Sequence, residues 1–165
     1  MLEDHELPAL RIRTTAEVPD VIPLVAERIW AAWWHDDGYP LQAIAERLAE
    51  SLHPDAVPTT LVASRGADFA GTVSLIECDM EERPEYSPWL AALWVEPAHR
   101  RQGVAEALME SVLALAAAGS IGTVYLCATP DNTPYYAKRG WRPVEQDVAG
   151  MDILCRSSPG VPPHT

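Results

Sequence analysis

The sequence predicts a mixed α/β (α+β) domain, one sheet with helices on its faces, in the order β-α-α-β-β-β-α-β-α-β-β. Two observations carry this. Stretches with a helical apolar period are interleaved with short alternating or continuous apolar runs that read as strands. Most strand-like runs also follow one another without a crossover helix, which excludes a doubly wound sheet and leaves hairpins around a central strand-loop-helix-strand unit. The 165 residues, 48% hydrophobic and 22% charged, suffice for a single domain with a substantial core.

Residues 1–9 read as a loose leader. Leu10-Arg11-Ile12-Arg13-Thr14 alternates apolar and polar, as a half-buried strand does. A first helix is expected from an N-cap at Asp20 to Trp34, with Pro23 in the first turn and Leu24, Val25, Ile29, Ala32 and Trp33 at helical spacing. Trp30 and Trp33 are expected in the core. His35-Asp36-Asp37-Gly38 is a turn. A second helix runs from Pro40, as its first residue, to Leu52, with Leu41, Ile44, Ala45, Leu48 and Leu52 on one face. His53 to Pro58 breaks it. Thr59–Ser64 and Phe69–Cys78 form a hairpin, and polar Asp79–Pro88 a loop. Trp89–Val95 is apolar on both faces and therefore belongs in the middle of the sheet. Gly103–Ala118 is the strongest helix, with a stripe of Val104, Leu108, Val112 and Leu115, and Gly119 at C′. Thr123–Ala128 is another buried strand. A short helix, Pro134–Arg139, ends at Gly140, and strands around Trp141–Glu145 and Met151–Cys155 close the sheet. Residues 1–156 form one domain, and 157–165, with three prolines, a disordered tail.

Charge and cysteine usage narrow the function classes. Residues 1–99 hold 18 acidic and 6 basic side chains and residues 100–165 hold 6 of each, so all of the net −12 lies before Arg100. No basic face large enough for nucleic acid is visible. No apolar run approaches the ~20 residues of a membrane span, and the acidic N-terminus lacks the order of a signal peptide. A soluble cytoplasmic protein with neither a nucleic-acid nor a membrane partner is expected. Cys78, Cys127 and Cys155 are odd in number and scattered, which argues against disulfides or a zinc site. They are read as small buried hydrophobes, and no metal is expected.

The chemistry concentrates after the central strand. Leu93-Trp94-Val95 runs into a loop, Arg100-Arg101-Gln102-Gly103-Val104-Ala105, that opens the best helix. Backbone N–H groups at such a start converge on an anion, and the helix dipole favours negative charge there. This loop, with the strand before it and the later Tyr136-Ala137-Lys138-Arg139-Gly140-Trp141, resembles the GCN5-related N-acetyltransferases. In the family's loop pattern, Gln/Arg-x-x-Gly-x-Gly/Ala, Arg100, Gly103 and Ala105 fill the defined places. Tyr136, Gly140 and Trp141 meet its Tyr-x-x-x-Gly-aromatic piece, and the element order matches over about residues 10–156. The family often has an Asn seven residues before the Tyr. Here Asn132 lies four before Tyr136, as in a subgroup with a shortened helix that includes some amino-terminal peptide acetyltransferases.

The resemblance implies a GNAT-like acyl-CoA N-acyltransferase fold, acetyl-CoA as donor, and an amine acceptor. The cofactor-binding set would be Trp94, Val95, Arg100, Arg101, Gln102, Gly103, Val104, Ala105 and Asn132: the loop for the pyrophosphate, Trp94 and Val95 as a rail for the pantetheine arm and thioester. A splay between Leu93–Val95 and Thr123–Ala128, through a bulge, would free those backbone groups. The leaving thiolate needs a proton, for which Tyr136 is the family's usual donor, with Tyr135 beside it. The acceptor, an alkylammonium with a pKa near ~10, must lose one. Glu77 is the first candidate base and Asp79 the second. Glu96 points toward the phosphate end and is a poor base. Trp34, His35 and Asp79 are candidates for acceptor contact, and His99 is read as a loop residue. Five carboxylates in Glu77–Glu85 against Arg83 alone favour a cationic amine. Exposed edge strands at the C-terminal hairpin allow a homodimer.

Two functions compete: a catalytic N-acetyltransferase, and a non-catalytic acyl-CoA-binding sensor on the same fold. A dinucleotide enzyme is disfavoured, because Gly-x-Gly-x-x-Gly is absent.

Overall fold

The computed structural model describes residues 8–52 and 57–162. The expected leader through residue 7, the break at 53–56 and the last three residues of the expected tail lie outside the described residues. Seven strands form one mixed sheet among them: β1 (Leu10–Thr14), β2 (Thr59–Arg65), β3 (Asp68–Ile76), β4 (Trp89–Val95), β5 (Thr123–Ala128), β6 (Arg142–Val148) and β7 (Met151–Ser157). Their order is β1-β2-β3-β4-β5-β7-β6, so β4 stands at the centre, as its two apolar faces require. Only the β4–β5 pair is parallel, because α3 (Val104–Ala118) crosses over between them.

On one face α3 buries Val104, Leu108, Met109, Val112, Leu113 and Ala116 against strand residues that include Val73, Leu90, Val124 and Leu126. Each fully buried leucine or methionine contributes about 1.5–3 kcal/mol. Leu115, expected on this stripe, is only partly buried. On the other face, α1 (Ile22–Ile29) and α2 (Leu41–Ala49) pack Val25, Ile29, Ile44 and Leu48 against Val62. A third cluster, Met80, Trp89, Val148 and Ile153, lies under the β3–β4 loop.

Several boundaries differ from the sequence reading. The first helix is not continuous: a 3-10 turn, Pro19–Val21, contains Asp20, α1 follows, and a π-helical turn covers Trp30–Trp34. His35 N–H donates to the Trp30 carbonyl at 2.9 Å and Tyr39 N–H to the Trp34 carbonyl at 3.2 Å, both spanning five residues. The Trp30 indole N–H donates to the Tyr39 carbonyl (2.6 Å) and closes the turn. This widened register turns Trp33 outward, 45% exposed rather than in the core. Pro40 is the N-cap of α2, with extended backbone, not its first residue. Gly119 is the C-cap of α3, and the left-handed residue is Ser120 (φ 60°). The chain also stays packed past residue 156: β7 includes Ser157, and Ser158 is buried with its N–H donating to the Gly122 carbonyl at 2.9 Å. Of the cysteines, only Cys155 is a buried hydrophobe; Cys127 is half-buried and Cys78, beyond the end of β3, is exposed.

Candidate active site

The site begins with a defect in β4. Thr72 pairs with Trp94 but Ser74 with Ala91, so Ala92 and Leu93 together oppose Val73. Ala92 takes up the strain at φ 53°. Such a bulge sharpens the local twist. β4 and β5 consequently share one register pair, Trp89 with Tyr125, and then part. The expected splay and bulge are therefore both present. The gap opens into a cleft of about 830 Å³, walled by Leu93, Trp94 and Val95, by the start of α3, and by α4 (Thr133–Ala137).

The α3 wall is a row of donors. Gly103 is the N-cap at φ 80°, where an L side chain is strained; it has no side chain to cap the helix, and in the first turn the Glu106 carboxylate takes up its own N–H. The other first-turn N–H groups have no partner within the helix, and the dipole adds a partial positive charge. Arg100 and Arg101 are exposed at the rim. Arg100 Nε donates to the Val95 carbonyl (3.0 Å), with its guanidinium 4.9 Å from the Trp94 ring centroid. Gly103, Val104 and Ala105 also line the cleft. Gln102 does not: its amide turns back onto the Ala98 carbonyl at 3.4 Å.

The α4 wall carries Asn132, at the N-cap, and both tyrosines. The Arg139 guanidinium lies 3.6 Å from the centroid of the Tyr135 ring and pairs with Glu106 of α3 at 2.9 Å. Tyr136 packs edge-on against Tyr135. Burial raises the pKa of both phenols; for Tyr136 the ionisable neighbours that add to this are Tyr135 and Cys127. Buried Asp152 of β7 accepts from Thr133 Oγ1 at 2.7 Å and ties α4 to the sheet. Arg139 escaped the sequence reading, although its spacing of four residues from Tyr135 is the signal that puts two side chains on one helix face.

The opposite face of the seam is set by strand alternation. Val124, Leu126 and Ala128 point toward α3, whereas Tyr125 and Cys127 point the other way. There Cys127 Sγ donates to Asp79 Oδ2 at 3.3 Å. Burial pushes the Asp79 carboxyl above its ordinary value, and the thiol hydrogen bond partly offsets this. The Cys127 thiol is pushed up to about 12, by burial first and then by the Asp79 charge.

The remaining sequence candidates scatter. Glu77 is exposed beyond the end of β3 and lines a separate cavity of about 450 Å³ with Pro88, Ser120 and Thr123, at the closed end of the seam. It is not brought to Tyr136, because β3 stops at Ile76 and the chain bends there. Glu96 is occupied, accepting from Arg28 (2.6 Å) and the Trp94 indole (3.1 Å). Trp34 packs on Tyr39, and His35 stands edge-on to Trp30; neither lines the cleft. Trp33 comes closer, its ring 6.2 Å from that of Trp94. His99 lines the cleft. In the acidic loop, Arg83 is taken up by a two-pronged pair with Glu145 of β6 (2.7 and 3.1 Å), and the Tyr86 hydroxyl donates to the same carboxylate at 2.9 Å. Glu81, Glu82 and Glu85 stay exposed.

Comparison with known proteins agrees with this architecture. A family model described as the acetyltransferase (GNAT) family matches residues 25–141. No curated protein matches the chain. Among solved structures, an aminoglycoside 6'-N-acetyltransferase complexed with coenzyme A superposes with a TM-score of 0.71 at 15% identity, covering 93% of this chain and 99% of the other. Ard1 from Thermoplasma volcanium gives 0.66 at 20% identity, covering 90% and 97%. The PaiA N-acetyltransferase from Thermoplasma acidophilum, in complex with coenzyme A, gives 0.62 at 17% identity, covering 90% and 99%.

Proposed function

Since the chain belongs to the GNAT family of acetyltransferases, we propose that it is an acetyl-CoA-dependent N-acetyltransferase, moving an acetyl group to a primary amine of a small molecule or peptide by direct attack in a ternary complex. The observation that carries this is the single-pair β4–β5 seam, with the glycine-capped start of α3 on one rim of its cleft and Tyr136 on the other. The donor chemistry suits coenzyme A: unpartnered N–H groups and the exposed Arg100 and Arg101 suit a pyrophosphate, and Leu93–Val95 offers strand backbone that β5 does not pair.

Acetyl-CoA supplies the thioester whose carbonyl carbon is attacked. Val104 and Ala105 N–H groups and the helix dipole hold its phosphates, with Gly103 allowing close approach. Trp94 and Val95 orient the pantetheine arm, and Asn132 borders it. Tyr136, held neutral by burial, protonates the departing sulfur. Cys127 is not an acyl carrier, because a thiol with a pKa of about 12 is almost wholly protonated at neutral pH. That favours direct attack over a covalent enzyme intermediate. The acceptor is a cation: Glu81, Glu82 and Glu85 stand exposed on the loop covering the face opposite α3, and Arg83 is spent on Glu145.

Release of free thiol on mixing the protein with acetyl-CoA and a panel of amines tests this. Turnover with cationic amines, weakened by Glu81→Gln/Glu82→Gln, is the expected result. Tight acetyl-CoA binding with no thiol release across the panel would leave the sensor reading in its place.

A further inference from the structure

We propose that Asp79, reaching from the β3–β4 loop to the open end of the β4–β5 seam, takes the proton of the attacking amine, and that the Cys127 thiol holds it there. This rests on the acetyltransferase reading above.

The placement follows from register. Cys127 lies two residues past Tyr125, the one β5 residue paired with β4, so it stands about 7 Å into the splayed region at ~3.3 Å per residue. Its side chain shares the face of Tyr125 and Met80, turned away from α3. Tyr136 packs with the α3-side cluster. The Cys127 and Tyr136 groups are nonetheless near enough that ionisation of one raises the pKa of the other. Tyr136 lines the cleft on the α3 side, and Asp79, bonded to Cys127 at 3.3 Å beside the splayed part of β5, stands on the opposite face of the sheet, outside the residues that line that cleft. Direct attack needs that arrangement: the amine enters on one face of the thioester carbonyl and the sulfur leaves toward the other.

Asp79 is an exposed residue of the loop, yet the groups packed around its carboxyl group favour a base. Burial raises its pKa while the thiol donor keeps the anion satisfied. From β5 the titratable groups on that face are Cys127 and Tyr125, the latter stacked on Tyr86 of the loop, with Tyr136 beyond on α4. On its own loop Glu77, Cys78 and Glu81 are exposed, as Asp79 itself is, and Arg83 is committed to Glu145.

The step balances. The ammonium gives one proton to Asp79, which later releases it to solvent. The free amine forms the C–N bond as the C–S bond breaks with its electron pair on sulfur. Tyr136 protonates that sulfur, and the second nitrogen proton leaves through Asp79 while Tyr136 is reprotonated from solvent. One ammonium and one thioester give an amide, a thiol and one proton.

Asp79→Asn should lower kcat/KM by ~10² or more and flatten the acid limb of its pH profile, with coenzyme A affinity within about twofold of wild type as the check on folding. Cys127→Ala removes a donor to the carboxylate, so the acid limb should move to higher pH, and Cys127→Ser should restore it. One readout needs no turnover. In Asp79→Asn without coenzyme A, alkylation of Cys127, resolved from Cys78 by peptide mass spectrometry, should quicken several-fold, because removing the Asp79 charge lowers the thiol pKa. An active wild type whose Asp79→Asn variant keeps its rate and pH profile would overturn this assignment alone. So would a larger loss in Glu77→Gln, or Cys127 alkylation unchanged in Asp79→Asn. A wild type with no turnover on any amine overturns the acetyltransferase reading and this inference with it.

Discussion

Gly71→Ala tests how closely stability and the cleft are coupled. Gly71 lies on β3 opposite Val95, beneath the start of α3. A Cβ there would stand 2.7 Å from the Trp94 carbonyl oxygen, 3.2 Å from Leu108 Cδ1 and 3.3 Å from Val104 Cγ1. The two side-chain atoms can yield by small rotations. The carbonyl belongs to a strand whose Trp94 is paired with Thr72, so the strand itself must move. An ordinary carbon–oxygen contact is ~3.3 Å, which requires a retreat of about 0.6 Å. Overpacking of this kind costs about 1–3 kcal/mol. At ~2–4 °C per kcal/mol for a domain of this size, Tm should fall by about 2–12 °C. The moved strand is also a wall of the cleft. Since a ~1 Å misplacement costs ~10²-fold in rate, about tenfold in kcat/KM is expected. Thermal melts with and without coenzyme A, and kcat/KM on the best amine, measure both. A variant with Tm within about 1 °C and kcat/KM within about twofold of wild type would refute the reasoning, because the contact would then have been absorbed without moving β4.

Tyr136→Phe should lower kcat by ~10–10² with little effect on coenzyme A affinity, and Tyr135→Phe should be the milder of the two in kcat; the reverse ranking would move the acid to Tyr135. Glu106 is held below its ordinary pKa, by its own backbone N–H first and then by Arg139. A depressed folded pKa gives stability that is present above the unfolded value and lost as pH falls through the folded one. The Tm gap between wild type and Glu106→Gln should therefore narrow as pH drops from about 6 to about 3; a gap independent of pH sinks that account.

Local patterns were legible where they decide the outcome locally. β4 reads as central because Trp89–Val95 is apolar on both faces, and α3 because its apolar stripe has a helical period. Gly103 marks the anion loop because only glycine takes φ 80° without strain. The resemblance carried the splay, which the bulge at Ala92 and Leu93 realises. What could not be read depends on partners far away in sequence. Glu77 and Asp79 are two residues apart, and which of them reaches the seam depends on where β3 ends and how the loop is pinned. The pins are Arg83 to Glu145, 62 residues on, and Tyr86 stacked on Tyr125 at 4.7 Å. Trp33 faces outward because one indole hydrogen bond, Trp30 to Tyr39, closes a π-helical turn that heptad-like counting does not contain. Ser158 is ordered by one strand-like bond to Gly122 that composition cannot show.

The uneven charge gains a location from the topology. All excess acid precedes Arg100, and β4, the last strand before Arg100, is also one side of the seam. The chain therefore changes electrostatic character at the gap itself. The helix start after β4 offers Arg100 and Arg101, for which no ion pair forms among the described residues. Arg139, the third cation at that cleft, is neutralised by Glu106. On the other face the β3–β4 loop adds exposed Glu81, Glu82 and Glu85 to those of α1, α2 and the turn between them, and Arg83 does not offset the loop's because Glu145 holds it. The polyanionic donor and cationic acceptor proposed above would then meet fields of opposite sign on the two sides of one sheet. Charges more than about 8–10 Å apart are largely screened at physiological salt, so the thickness of the sheet helps to keep the two fields separate. Local pairing, rather than net composition, sets the sign of each side: Glu145 removes Arg83 from the acidic loop, whereas Arg100 and Arg101 keep the α3 rim basic although Glu106 neutralises Arg139.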